Sequence, residues 1–221
     1  MDKIAPLPKD LIARYSTWKS GNFKSSEAEF QRLVEEGQSP VAMVISCCDS
    51  RVHPNQMFMT EAGQFFVHRN IANLVPPFAP SQNFHGTSAA VEYAIQVLEV
   101  PHLIIMGHSQ CGGVKGCHDM CAGHAPELLE NSSFVGRWLD ILSPAYGYIA
   151  DIEDDQARLR AFEKRAVVTS LQNLLTFPFV RKKREAGKLA LHGLWTDIAT
   201  GAMEFYNPNT QEFEPVPVKD A

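Results

Sequence analysis

The chain of 221 residues has no stretch near the roughly eighteen consecutive apolar residues that a membrane-spanning helix needs. It has no excess of positive charge: 20 Lys and Arg stand against 25 Asp and Glu, a net charge of −5. A general attraction to nucleic acid or to an anionic membrane is therefore not expected. The one basic run, Arg181-Lys182-Lys183-Arg184, is followed by Glu185 and falls late in a helical pattern, so it reads as a solvated helix end. Cysteine is scarce and odd in number, five in all, which suits a reducing compartment better than a disulfide framework. The opening residues, Met1-Asp2-Lys3-Ile4-Ala5-Pro6, lack the apolar centre of an export signal. A cytoplasmic chain is the expectation. There is no internal repeat, low-complexity segment or credible linker. With 45% hydrophobic residues, the chain can bury one substantial core. A single domain over 1–221 is expected, with a helical arm at 1–40 and an α/β core at 41–221.

Two helices should come first. Pro8-Lys9-Asp10 opens one that carries Leu11, Ile12, Tyr15 and Trp18. Ser26-Glu27-Ala28-Glu29 has the spacing of a capping box and opens another, which Gly37 stops. Short apolar runs then alternate with helical periodicity. Runs at 41–46, 65–68 and 103–106 suit strands of a parallel sheet covered on both faces. Helices are expected at 54–59, 87–98, from Gly112-Gly113 onward, at 131–142 and at 154–175. Runs at 189–195 and 202–206, joined through Thr200-Gly201, read as a hairpin. The fold class that follows is α/β: a mostly parallel central sheet flanked by helices, with an N-terminal helical arm and an antiparallel C-terminal edge strand.

The chemistry gathers at two strand ends. Cys47 lies in Ser46-Cys47-Cys48-Asp49-Ser50-Arg51, and His108 and Cys111 lie in Gly107-His108-Ser109-Gln110-Cys111-Gly112-Gly113. Two thiolates and an imidazole at about 2.0–2.3 Å from an ion form a zinc ligand set. Three such ligands with an exchangeable fourth position make the catalytic form of the site. Open α/β sheets place sites beyond the carboxyl ends of their strands, so two ends distant in sequence can meet at one metal. Cys117, Cys121 and His124 carry spacing reminiscent of a second metal site, but Cys117 and Cys121 at i, i+4 read more simply as one buried helix face.

The blocks Cys47-Cys48-Asp49-Ser50-Arg51 and His108-Ser109-Gln110-Cys111 resemble the signature of the β-class carbonic anhydrases. So do His68-Arg69-Asn70-Ile71-Ala72-Asn73, Ala89-Ala90-Val91-Glu92-Tyr93-Ala94 and Asn173-Leu174-Leu175-Thr176-Phe177-Pro178-Phe179-Val180. The resemblance runs roughly from Leu11 to Tyr206. It implies reversible hydration of carbon dioxide to bicarbonate and a proton, by attack of zinc-bound hydroxide, with one Zn²⁺ per chain on Cys47, His108 and Cys111. Zinc lowers the pKa of bound water to about 7 in a carbonic anhydrase whose ligands are three histidines. Asp49 and Arg51 are the expected catalytic pair. The Arg51 fork would hold the Asp49 carboxylate off the metal, and a free oxygen would orient the nucleophile. Asp49 would join the metal only in a closed state.

Resemblance to the plant-like, open-site branch implies a CO₂ pocket formed by Gln38, Phe66, Ile71 and Tyr93, with Gly112 as a further substrate-binding residue. In that branch Gln and Tyr meet across a dimer interface, so a homodimer or a multiple of it is implied. Another branch is switched by bicarbonate bound among a Trp, an Arg and a Tyr. Here Arg69 is present, but Val44 and Thr196 stand at the other two positions. Two alternatives remain open on the residues alone. One is a zinc-hydroxide hydrolase of carbon disulfide or carbonyl sulfide. The other is a catalytically silent, zinc-stabilised binding protein.

Overall fold

Valine, isoleucine and phenylalanine crowd the runs that follow residue 40, and branched or aromatic side chains favour the extended backbone of a strand. The computed structural model describes residues 4–80, 85–130 and 133–218. It divides at Gln38 into an N-terminal unit and a larger unit from Ser39 onward.

In the N-terminal unit, α1 is Lys9–Trp18 and α2 is Glu27–Glu36. A π-helical turn, Lys19–Phe23, follows α1. Trp18, Phe23 and Phe30 pack ring against ring, with centroids 5.3 Å apart for the first pair and 5.2 Å for Phe23 and Phe30. Neither helix contains a buried residue. The expected capping box does not form. Ser26 adopts φ −115° and ψ 12°, outside the extended conformation that aims a capping side chain at the helix, and its hydroxyl accepts no capping hydrogen bond. Gly37 ends α2 at φ 81°, which a residue with a side chain adopts rarely.

The larger unit is built on six strands: β1 Ala42–Cys47, β2 Phe65–Asn70, β3 His102–His108, β4 Ala190–Thr196, β5 Met203–Asn207 and β6 Glu212–Pro215. Their order is β2-β1-β3-β4-β5-β6, the first four parallel and the last two antiparallel. Strand β1 is buried along its whole length. Met43 and Ile45 pack with Leu103, Ile105 and Val167, while Val44 packs with Met106 and Leu194. The crossovers carry α3 Pro54–Met57, α4 Gly86–Glu92, α5 Gly112–Cys121, α6 Phe134–Leu139, α7 Asp155–Leu174 and α8 Pro178–Glu185. Asp154 caps α7, its Oδ1 accepting from the Ala157 N–H at 2.7 Å. Helix α7 lies tight against the sheet because Gly107 and Gly193 leave room. A Cβ at Gly107 would sit 2.6 Å from a Val167 methyl.

Three details differ from expectation. The C-terminal edge holds two antiparallel strands, because Phe213 in β6 packs on Tyr206 although its neighbours are Glu212 and Glu214. The helix expected at 87–98 is α-helical only to Glu92 and widens into a π-helical turn, Tyr93–Val97. Of the helix expected at 131–142, only α6 is α-helical and 140–142 form turns; residues 131 and 132 lie outside the described residues. The Ser133 hydroxyl sets its start by accepting from the Gly136 N–H at 2.9 Å. The basic run forms the last turn of α8, where its cations face the negative end of the helix dipole.

At Gly136 a Cβ would stand 1.6 Å from the Leu128 carbonyl oxygen, and a backbone atom cannot swing aside. Gly136→Ala should therefore destabilise the protein by about 1–3 kcal/mol or more through overpacking. A urea melt showing a lower midpoint with an unchanged slope checks this.

Candidate metal centre

Strands β1 and β3 are parallel neighbours, with Ser46 opposite Met106. Cys47 and His108 thus reach the same edge of the sheet. Beyond His108 the chain reverses through Gln110, whose φ of 55° lies in the left-handed region, and Cys111 caps α5. The three ligand atoms all lie within 4.8 Å of one another, and all three residues are buried. The two sulfurs are 3.9 Å apart. Sulfurs bound at about 2.3 Å to one tetrahedral zinc ion lie roughly 3.8 Å apart, so the spacing fits the ion.

The imidazole is set for ligation. His108 Nδ1 lies 2.8 Å from the Ser109 carbonyl oxygen and donates to it, which leaves Nε2 bare. That Nε2 is buried with no hydrogen-bond partner. A buried acceptor left unmade is costly, and a metal ion would satisfy it. The backbones of Asp49 and Ala72 favour the thiolate of Cys47, and those of Val114 and Gly113 favour that of Cys111. The Cys111 thiol beside it, against burial and with help from His108, pulls the Cys47 thiol well below the usual thiol range. The same pairing, with burial, pushes Cys111 up. A dication between them would favour both thiolates. Burial pulls the His108 value down, but the Cys47 sulfur and the Ser109 carbonyl outweigh it and the net direction is up.

Asp49 is held apart from this set. Arg51 donates from Nε to Oδ1 at 2.9 Å and from Nη2 to Oδ2 at 2.7 Å, and its backbone N–H donates to Oδ1 at 3.0 Å. The Arg51 fork holds the Asp49 carboxyl well below the usual carboxylate range. Asp49 Oδ2 is 4.0 Å from His108 Nε2. Arg51 Nη2 also reaches the Gln110 carbonyl at 3.2 Å, tying the two ligand loops together. Arg69 fixes the first loop from beneath. Its Nε donates to the Cys47 carbonyl at 2.9 Å, and its Nη2 to the carbonyls of Asp49 at 2.7 Å and Val52 at 2.8 Å.

The other expected site residues are placed as follows. Phe66 and Tyr93 stack, centroids 5.8 Å apart at 26°. Ile71 is 40% exposed, its carbonyl accepts from Trp138 Nε1 at 2.8 Å, and its methyl would lie 2.7 Å from a Cβ at Gly113. Gly113 is thus needed for close approach, whereas Gly112 faces open space. Gln38 is the last residue of the N-terminal unit. Cys117 packs in the core with its sulfur 3.4 Å from the Leu139 carbonyl, while Cys121 is half-buried and His124 exposed. Among the described residues, Cys47, His108 and Cys111 are the one group of this kind.

Sequence reasoning missed Glu163, which reaches the Cys111 N–H from α7. Its signal was a charged residue on the stripe Glu163, Val167, Ser170 and Leu174, all of it buried.

A carbonic anhydrase family model matches residues 42–203, a span that contains all three ligands, Asp49 and Arg51. Beta carbonic anhydrase 3 of Arabidopsis thaliana is 35% identical over 192 residues, 86% of this chain and 72% of that protein. The structure of the β-carbonic anhydrase CcaA superposes with a TM-score of 0.85 at 29% identity, covering 96% of this chain and 92% of that one. A tetrameric β-carbonic anhydrase from the filamentous ascomycete Sordaria macrospora superposes with a TM-score of 0.70 at 26% identity, covering 88% and 94%. By sequence, fold and the placing of its ligand set, the chain belongs to the β-carbonic anhydrase family.

Proposed function

We propose that the chain catalyses the reversible hydration of carbon dioxide to bicarbonate and a proton, with one zinc ion held by Cys47, His108 and Cys111. The observation that carries this reading is the bare, buried His108 Nε2 facing two sulfurs 3.9 Å apart, with Asp49 withheld by Arg51. Zinc in that set would supply the Lewis acidity that makes water a nucleophile at neutral pH. The chain supplies the rest. Asp49 stays ionised, and its oxygens keep acceptor capacity beyond the Arg51 bonds, so it can take a hydrogen bond from the attacking water and orient it. Arg51 holds that carboxylate by both oxygens and so would keep it from joining Cys47, His108 and Cys111 as a further ligand. Phe66, Ile71 and Tyr93 of the resemblance form the apolar wall for CO₂ in this reading, which suits a substrate without a net dipole.

The plant-like, open-site branch is part of the proposal. Val44 is fully buried in the sheet, Thr196 is buried and donates to the Ala202 carbonyl at 3.1 Å, and Arg69 is engaged with three loop carbonyls. These contacts leave bicarbonate no evident means of favouring a closed state. Assembly as a homodimer or a multiple of it belongs to the same reading. In the N-terminal unit Leu11, Ile12, Tyr15 and Trp18 are 45%, 47%, 53% and 43% exposed. The larger unit has an apolar groove of about 760 Å³ whose lining includes Phe58, Phe65, Ile104, Leu194 and Phe205. A cytoplasmic setting goes with thiolate ligands, which persist where thiols stay reduced, and all five cysteines are free. Among the described residues no helix is long and apolar enough to cross a membrane.

Cys111→Ala should lose most of its zinc and its activity together; full metal content with normal turnover would contradict the ligand assignment. Asp49→Asn should keep its zinc and lose about a hundredfold or more in turnover. Stopped-flow CO₂ hydration with a pH indicator reads this directly. The wild-type rate should rise with pH as a single ionisation. No hydration by zinc-loaded wild type would overturn the proposed reaction, and a steep multi-proton profile would overturn the open-site assignment. Sedimentation should show a dimer or larger at working concentration, and a fully active monomer would refute the assembly.

A further inference from the structure

Glu163 is a carboxylate 3% exposed, on the face of α7 that presses against the sheet. A group of this kind is tolerated in a core only where its oxygens are hydrogen-bonded. Both are. Oε2 takes Arg160 Nη1 at 2.6 Å, and Oε1 accepts from the backbone N–H of Cys111 at 3.2 Å.

The second bond falls at a sensitive point. Cys111 follows Gln110, whose backbone is left-handed, and directly precedes α5. The Cys111 carbonyl accepts from Lys115 within the helix, and its sulfur is a metal ligand in the reading above. Its N–H stands ahead of the helix, where no carbonyl of the helix can reach it. Glu163 supplies the acceptor from a different element, 52 residues later in the chain. One helical turn on, Val167 lies over the space left by Gly107 and Gly193, so α7 packs tightly on the sheet there.

We propose that Glu163 is a positioning residue for the metal: its carboxylate holds the Cys111 backbone, and through it the third ligand, at the spacing that a divalent cation needs. This rests on the ligand set proposed above but not on the reaction proposed for it. Outer partners of this type are worth about 10–100-fold in metal affinity.

The test is a Co²⁺ titration of the apoprotein against a competing chelator, with the thiolate-to-cobalt absorption bands recorded. Glu163→Ala should bind Co²⁺ about 10–100-fold more weakly, with shifted bands. Glu163→Gln keeps an oxygen acceptor at the same place and should restore both towards wild type. Hydrogen exchange on the wild-type protein gives a second reading that does not depend on any variant folding, because the Cys111 amide should be protected. Wild-type affinity and bands in Glu163→Ala would overturn the proposal. So would a loss in Glu163→Gln as large as in Glu163→Ala, or a freely exchanging Cys111 amide. If wild type binds Co²⁺ as expected but does not hydrate carbon dioxide, the proposed reaction fails and the role of Glu163 stands.

Discussion

A parallel strand pair cannot be closed by a tight turn, so its partners come from separate parts of the chain and end at the same edge of the sheet. The pairing of β1 with β3 has this consequence for Cys47 and His108. Everything at the centre depends on it. The strands bring a sulfur and an imidazole together, and the turn after β3 adds the second sulfur within one helix start. Because β1 is buried throughout, its register is strongly specified, and a slip of one residue would exchange the two faces of the sheet.

The two arginines divide the work around the site. Arg69 bonds backbone carbonyls of the first loop and so fixes where that loop runs. Arg51 bonds the Asp49 side chain and one carbonyl of the second loop and so fixes where the carboxylate points. A lysine at either place would present a point charge rather than a planar fork, and the paired contacts would go.

The strands, the meeting of Cys47, His108 and Cys111, and the Asp49–Arg51 pair were legible because each rests on local chemistry: branched apolar runs, thiol and imidazole groups at run ends, a carboxylate two residues before a guanidinium. What escaped depends on distance. Glu163 joins Cys111 from α7, and nothing near residue 163 announces it beyond a charge on a buried stripe. Strand β6 escaped because three of its four residues are Glu or Pro, and it is specified by pairing with β5 and by one ring, Phe213. The capping box misled for the opposite reason: the spacing was present, but Ser26 adopts a conformation that cannot use it. The turn from Ala72 to Asn73, with φ of 61° and 50°, gave no glycine to mark it.

Arg69 holds its loop by main-chain oxygen, and every residue type brings that oxygen. Cys48, Ser50 and His53 point outward from the same loop and are exposed. These positions can drift in evolution without disturbing the path that carries Cys47 and Asp49. The rim of the site is therefore open to change in charge, bulk or reactivity while its floor stays constant, and a library confined to residues 48, 50 and 53 would sample new rims on an intact frame.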